Sequence, residues 1–222
     1  MSYFDTAVLQ IHGNYGDLIR MSLPDDFDYK TALAVFAVES PGLPFGPSGK
    51  PIIRVELHWL FDLWGKHNTD AFYKYFKFDA TKRWQGHMYR NNTNGPFIVL
   101  HTTGADQQAR EYEALDIVTR NFGQQAIECA MRGTSMGMGQ LMGFHFAKLG
   151  YHTAGEMLLA SHSLSVQIAD FFKFVTQDAR LITAMHAKDW AGFAKVYNGP
   201  GNVPEYSKRM AEAYDAAIRV VK

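Results

Sequence analysis

From Gln108 to the C-terminus the chain repeats apolar residues at helical spacing, and this most limits what it can fold into. Tyr112, Leu115, Val118 and Phe122 form one stripe of a helix read over Gln108–Cys129. Further helices are expected near Gly155–Leu159, Ser163–Gln177, Arg180–Ala187, Trp190–Tyr197 and Pro204–Val221. Several short helices with little room between them must bury their apolar stripes on one another, so the second half reads as α-rich. The glycine-rich stretch Gly133 to Gly143 interrupts the pattern and is read as leading into a helix that ends near Leu149.

The first half is more mixed. Residues 1–27 suggest a short helix near Asp5–Ile11 and an N-terminal extension packed on the domain. Asp26 or Asp28 can cap a helix over Tyr29–Ser40, with Leu33, Phe36 and Ala37 on one face. Pro41 disfavours helical geometry at Ser40 and should end it. Pro41–Lys50, with three prolines and three glycines, is a loop. Pro51–Val55 reads as a short extended piece before a helix around Leu57–Trp64, and Phe97–His101 as a strand. Residues 66–105 otherwise carry no clear period. The expected fold class is mainly α, a two-lobed helical domain with a small β element in its first half, in one domain over residues 28–222.

At 222 residues the chain can bury a core without covalent staples. It has to, because Cys129 is the only cysteine, which leaves no intrachain disulfide and no cysteine-based zinc site. Within its helical pattern Cys129 reads as a small buried apolar residue. The formal net charge is +0, so no long-range field favours nucleic acid. The nine histidines show no His-x-x-x-His or Cys/His spacing, and neither a metal nor a cofactor is implied. No window is long and apolar enough to insert in a membrane, and Met1–Arg20 lacks the basic and apolar regions of a signal peptide.

Four stretches carry chemistry. Glu39 ends an apolar helix beside Val38 and Ala37, where burial and the negative end of the helix dipole both disfavour its charged form. A carboxyl kept protonated near neutral pH can protonate a leaving sugar oxygen, although a last-turn glutamate can equally point into solvent. In the glycine-rich stretch the glycines let backbone approach a ligand and Gln140 offers hydrogen bonds to sugar groups, or the glycines serve only a tight turn. Tyr197 and Asn198 present an aromatic face and an amide at a loop, or simply cap a helix. Glu56 adds a second carboxylate with His58 two residues on, facing the same side if extended; Arg54 beside it allows an ordinary ion pair.

Taken in order, these stretches resemble the N-acetylmuramidase family of phage endolysins, within the lysozyme-like superfamily of soluble lytic transglycosylases and goose-type lysozymes. The residues that carry the resemblance are Ala37–Ser40, Gly49–Ile52 through Glu56 and His58, Ser135–His145, Leu149–Tyr151, and Asp189–Pro200. Three positions depart from the family pattern: Met136 stands for a tryptophan, His145 for an asparagine, and His162 for a frequent glutamate.

The resemblance implies a lysozyme-like catalytic domain that cleaves the β-1,4 bond between N-acetylmuramic acid and N-acetylglucosamine in the peptidoglycan glycan strand. It assigns Glu39 as catalytic acid and Glu56 as a second acidic position that shapes the site or positions water. Ser40, His58, Ser135, Gln140, Tyr197 and Asn198 fall among its substrate-binding positions. Carboxyl groups about 6.5–9.5 Å apart would invert the anomeric centre, and a separation of about 5–5.5 Å would retain it. A transglycosylase forming 1,6-anhydro ends and a non-catalytic wall-binding module are the alternatives. The family often adds an N-terminal wall-binding domain, and none is expected here. The expectation is a protein that nothing requires to be more than a monomer. It would reach the wall after release, or on a phage-tail or injection-system carrier.

Overall fold

The computed structural model describes residues 1–40, 42–104 and 106–222, and its elements follow from local chemistry that can be read residue by residue. The chain divides into two compact units, one of residues 1–44 and 163–222, the other of residues 45–162.

The first unit opens with α1, Tyr3–Ser22. The Ser2 hydroxyl accepts from the Asp5 amide at 3.1 Å while the Asp5 carboxylate accepts from the Ser2 amide at 2.7 Å, a reciprocal capping box. The helix is much longer than the Asp5–Ile11 segment expected. Gly13 and Gly16 lie inside it, and Ile19 prolongs the buried stripe of Phe4, Ala7, Val8 and Ile11. Gly16 has a packing reason: a Cβ there would stand 2.6 Å from the Tyr29 hydroxyl. Helix α2, Tyr29–Glu39, starts at Asp28, whose carboxylate accepts from the Lys30 and Thr31 amides, both at 3.2 Å. Thr31 through Val38 are all buried, so α2 is the core of its unit rather than an amphipathic surface helix. It ends where expected, with the Ser40 amide donating to the Phe36 carbonyl; Pro41 lies outside the described residues.

The second unit begins with strand β1, Ile53–Val55, followed by α3, Leu57–Leu63, a 3-10 turn at Gly65–His67, and α4, Thr69–Tyr75. The stretch without a clear period then supplies three two-residue strands: β2, Phe76–Lys77, β3, Met88–Tyr89, and β4, Ile98–Val99. They pair antiparallel in the order β2-β3-β4, with Phe76 opposite Tyr89 and Met88 opposite Val99. The expected Gln108–Cys129 helix is in fact two, α5, Gln107–Asn121, and α6, Gln124–Arg132. Phe122 turns extended at the break, its ring packing 4.7 Å from that of Trp64, and Gly123 starts the new helix.

The glycine-rich stretch is a β-hairpin rather than a lead into a helix. Strands β5, Thr134–Met136, and β6, Leu141–Met142, flank it, and β5 pairs with β1 through Arg54 opposite Ser135. Gly137 (φ 72°) and Gln140 (φ 48°) take the left-handed conformations of the turn. Gly143 follows in a 3-10 turn, Gly143–His145, where a Cβ would fall 2.0 Å from the Met131 carbonyl oxygen. Only glycine fits. Helix α7, Ala154–Ala160, closes the unit.

The chain then returns to the first unit with α8, Leu164–Thr176, α9, Ala179–Ala187, α10, Trp190–Tyr197, and α11, Val203–Val220. Helix α11 packs along α2, α1 and α10 through Met210, Ala213, Ala216 and Ala217. Small residues on this face let the backbones approach. Eleven α-helices and two three-stranded sheets among the described residues make the chain mainly α. Cys129 is buried, as expected, on α6.

Candidate active site

Glu39 is the last residue of α2, following seven buried residues from Ala32 to Val38. Its position follows from the sequence: the apolar helix must stay in the core until the Pro/Gly loop releases the chain. Its carboxylate Oε1 accepts from Asn198 Nδ2 at 3.0 Å, immediately after α10. Asn198 Oδ1 is buried and has no hydrogen-bond partner. Arg209 on α11 donates to the Val38 carbonyl at 3.2 Å and contributes positive charge near the carboxyl. Burial dominates these two opposing influences and pushes Glu39 up to about 7, from an ordinary 4.5.

Tyr197 lies in the same neighbourhood. Its ring stacks on Phe193 at 5.0 Å and meets Phe174 edge-on at 5.6 Å, so packing within the unit occupies the aromatic faces. Burial, reinforced by Glu39, raises its hydroxyl well above the ordinary tyrosine range, so it remains a protonated donor. Ser40 is buried, and its hydroxyl donates to the Phe36 carbonyl at 3.3 Å, where it serves the end of the helix.

Glu56, in the second unit, has the opposite surroundings. It is the N-cap residue of α3, and its side chain makes no cap hydrogen bond. Arg54 Nε donates to Oε1 at 2.8 Å. Around Oε2 stand His58 Nδ1 at 3.5 Å, His87 Nδ1 at 3.6 Å and His101 Nε2 at 4.0 Å. Burial alone would raise its carboxyl, but Arg54 foremost, with His101 and His87, holds it below the usual glutamate range. The ion pair with Arg54 and the proximity of His58 both occur, though His58 sits in the first turn of α3 and not on a strand.

His87 and His101 escape a reading of spacing along the chain. The β3–β4 pairing continues through a hydrogen bond from the Leu100 amide to the His87 carbonyl, which sets the two rings side by side. Their nitrogens, His87 Nδ1 and His101 Nε2, are 2.7 Å apart. Behind them Glu111 is fully buried, accepting from the Val55 amide at 2.7 Å and facing His101 Nδ1 at 2.9 Å. Burial pushes His87 down to about 4 and also lowers His58, against the pull of Glu56. Arg209 and Glu111 are likewise invisible in the motifs; only a charged residue at a buried-face position of a helix hints at either.

Ser135 and Gln140 are brought together within the hairpin. Ser135 Oγ donates to Gln140 Oε1 at 2.9 Å, and Gln140 Nε2 donates to the Gly137 carbonyl at 2.8 Å. These bonds lock the turn. Met136, at the position where the family has tryptophan, is buried in the hairpin, whereas His162 is exposed.

The family model of the N-acetylmuramidases matches residues 28–217, a span that contains Glu39, Ser40, Glu56, His58, Ser135, Gln140, Tyr197 and Asn198. Among solved structures, the chain is similar to the crystal structure of the Burkholderia AP3 phage endolysin. The sequence identity is 26% and the TM-score 0.61, over 98% of this chain and 71% of that one. No curated protein sequence matches.

Proposed function

The chain belongs to the N-acetylmuramidase family of peptidoglycan hydrolases, with a lysozyme-like fold, and from that premise we propose that Glu39 is the acid that starts glycosidic cleavage. The observation that supports this is a carboxyl at the end of a buried helix, with burial pushing it up to about 7. Such a group still carries its proton near neutral pH. Asn198 holds Oε1, leaving Oε2 to present that proton to the oxygen between N-acetylmuramic acid and N-acetylglucosamine. As the bond breaks, the N-acetylglucosamine side leaves as the alcohol, positive charge builds on the muramic acid ring, and water adds to that carbon and gives up a proton. Tyr197 keeps its hydroxyl proton beside Glu39 and donates to the reacting groups.

Glu56 is the second carboxylate. Arg54 favours its ionised form, which suits a base or an electrostatic stabiliser and not a proton donor. Ser135 and Gln140 build the hairpin on which backbone groups meet the glycan; their mutual hydrogen bond fixes its shape. With net charge +0, recognition of the wall polymer rests on shape and hydrogen bonding. No helix among the described residues is long and apolar enough to cross a membrane, and the protein acts on cell-wall peptidoglycan.

The test is digestion of purified peptidoglycan by the wild type and by Glu39→Gln, with the released ends identified by mass spectrometry. Reducing N-acetylmuramic acid ends that disappear in the variant are expected. Anhydro ends would reassign the chemistry to transglycosylation with the same acid. Equal release by both proteins would remove Glu39 from the reaction.

A further inference from the structure

The histidines around Glu56 are more than a hydrogen-bond network, because their hydrogens do not balance. His87 Nε2 faces the Arg83 carbonyl at 2.9 Å, an acceptor only, so it carries the ring hydrogen and Nδ1 presents a lone pair. His101 Nδ1 faces the Glu111 carboxylate at 2.9 Å, so its hydrogen belongs there and Nε2 presents a lone pair. Two neutral rings thus point lone pairs at each other across 2.7 Å. A cation is needed between or beside them, either an extra proton or a metal ion. His58 Nδ1 adds a third nitrogen that is buried and has no hydrogen-bond partner. A buried orphan of this kind asks for a ligand.

The geometry narrows the choice. Glu56 Oε2 lies 3.5 Å from His58 Nδ1 and 3.6 Å from His87 Nδ1. One ligand atom from each of Glu56, His58 and His87 falls within 4.8 Å of the other two. A tetrahedral ion with bonds of about 2.0–2.1 Å has donor–donor edges of about 3.4 Å. Two edges therefore match already, and the third is no longer than 4.8 Å.

The supporting contacts also fit. The Arg83 carbonyl fixes the His87 tautomer, and Arg54 on Oε1 orients Glu56 so that Oε2 faces the histidines. The Arg54 charge opposes a cation, and the buried Glu111 carboxylate behind His101 offsets it. Two imidazoles and one carboxylate suit zinc and its transition-metal neighbours better than magnesium or calcium, which prefer oxygen ligands.

We propose that Glu56, His58 and His87 form a binding site for a divalent transition-metal ion of the zinc class. A fourth position is left for water, with His101 as the nearby nitrogen. This inference rests on the second unit alone and does not depend on the glycosidase reading. The test uses the full chain freed of metal, titrated with zinc chloride in a calorimeter and with cobalt chloride followed by visible absorption. One ion per chain and the intense bands of tetrahedral cobalt are expected, with no heat from magnesium chloride. His58→Ala and His87→Ala should each weaken zinc binding by more than about ten-fold, the lower end for losing even an outer-shell partner. If His87→Ala does not fold, as its burial allows, His58→Ala decides alone. Absence of saturable one-to-one zinc uptake, or uptake unchanged by His58→Ala, would overturn the proposal, and so would equal binding of magnesium.

Discussion

Glu39 and Glu56 are the same side chain in two chemically opposite settings. Glu39 ends a helix whose preceding seven residues are buried, receives one amide hydrogen bond, and is pushed up to about 7. Glu56 receives a guanidinium at 2.8 Å, faces three imidazoles, and is held below the ordinary range although it too is largely buried. Burial is therefore common to both and decides neither role. The difference lies in the nearest cation: Arg54 bonds the Glu56 carboxylate directly, whereas Arg209 bonds the Val38 carbonyl beside Glu39. A glycosidase needs one carboxyl that keeps its proton and one that has lost it, and the surroundings of each glutamate favour one of these states.

The contrast can be broken by exchanging charge for an amide at each position. Glu39→Gln removes the transferable proton, and release of soluble wall fragments should fall about 10³-fold, within the usual range for a general acid. Glu56→Gln removes only a charge, so a smaller loss of about 10²-fold is expected. Reversal of that order, measured on the same wall preparation, would mean the acid has been misassigned.

Stability should move the other way at the first site. A carboxyl whose folded pKa lies above its unfolded value binds more protons when folded. Its contribution is therefore lost as pH rises from 4.5 through about 7. Ionised Glu39 then costs on the order of 3 kcal/mol above that window, about 1.4 kcal/mol for each pH unit between the two values. Glu39→Gln should consequently unfold at higher denaturant concentration than the wild type at pH 8, with little difference below pH 4.5.

The smallest effects sharpen the comparison. The basic limb of kcat/KM should fall near pH 7 as Glu39 ionises. Asn198→Ala, which removes a hydrogen bond favouring the charged form, should move that limb upward by up to about one pH unit. Arg54→Met should leave the limb in place while raising Glu56 toward the ordinary range, visible by carboxyl NMR.

Much of Glu39 was legible in the sequence because its cause is local. Asp28 is a good cap, the run Ala32–Val38 is continuously apolar, and a Pro/Gly loop follows. Helix α10, Trp190–Tyr197, coincides with its expected span for the same reason. The setting of Glu56 was not legible, since it depends on strands of two residues that carry no detectable period. Pairing of β3 with β4 brings His87 to His101 across an intervening turn, and only the fold sets both against Glu56. The hairpin from Thr134 to Met142 was hidden by its glycines, which signal a tight turn without saying what it joins. Arg209 reaches Val38 from a helix 171 residues later, a contact that no motif encodes.

The most direct test of the account is to titrate both carboxyls in one sample by NMR with glutamate labelled at its side-chain carbon, assigned through Glu39→Gln and Glu56→Gln. Glu39 should titrate near 7 and Glu56 below 4.5, the ordinary glutamate value. Both groups titrating together near 4.5, or Glu56 titrating above Glu39, would contradict it.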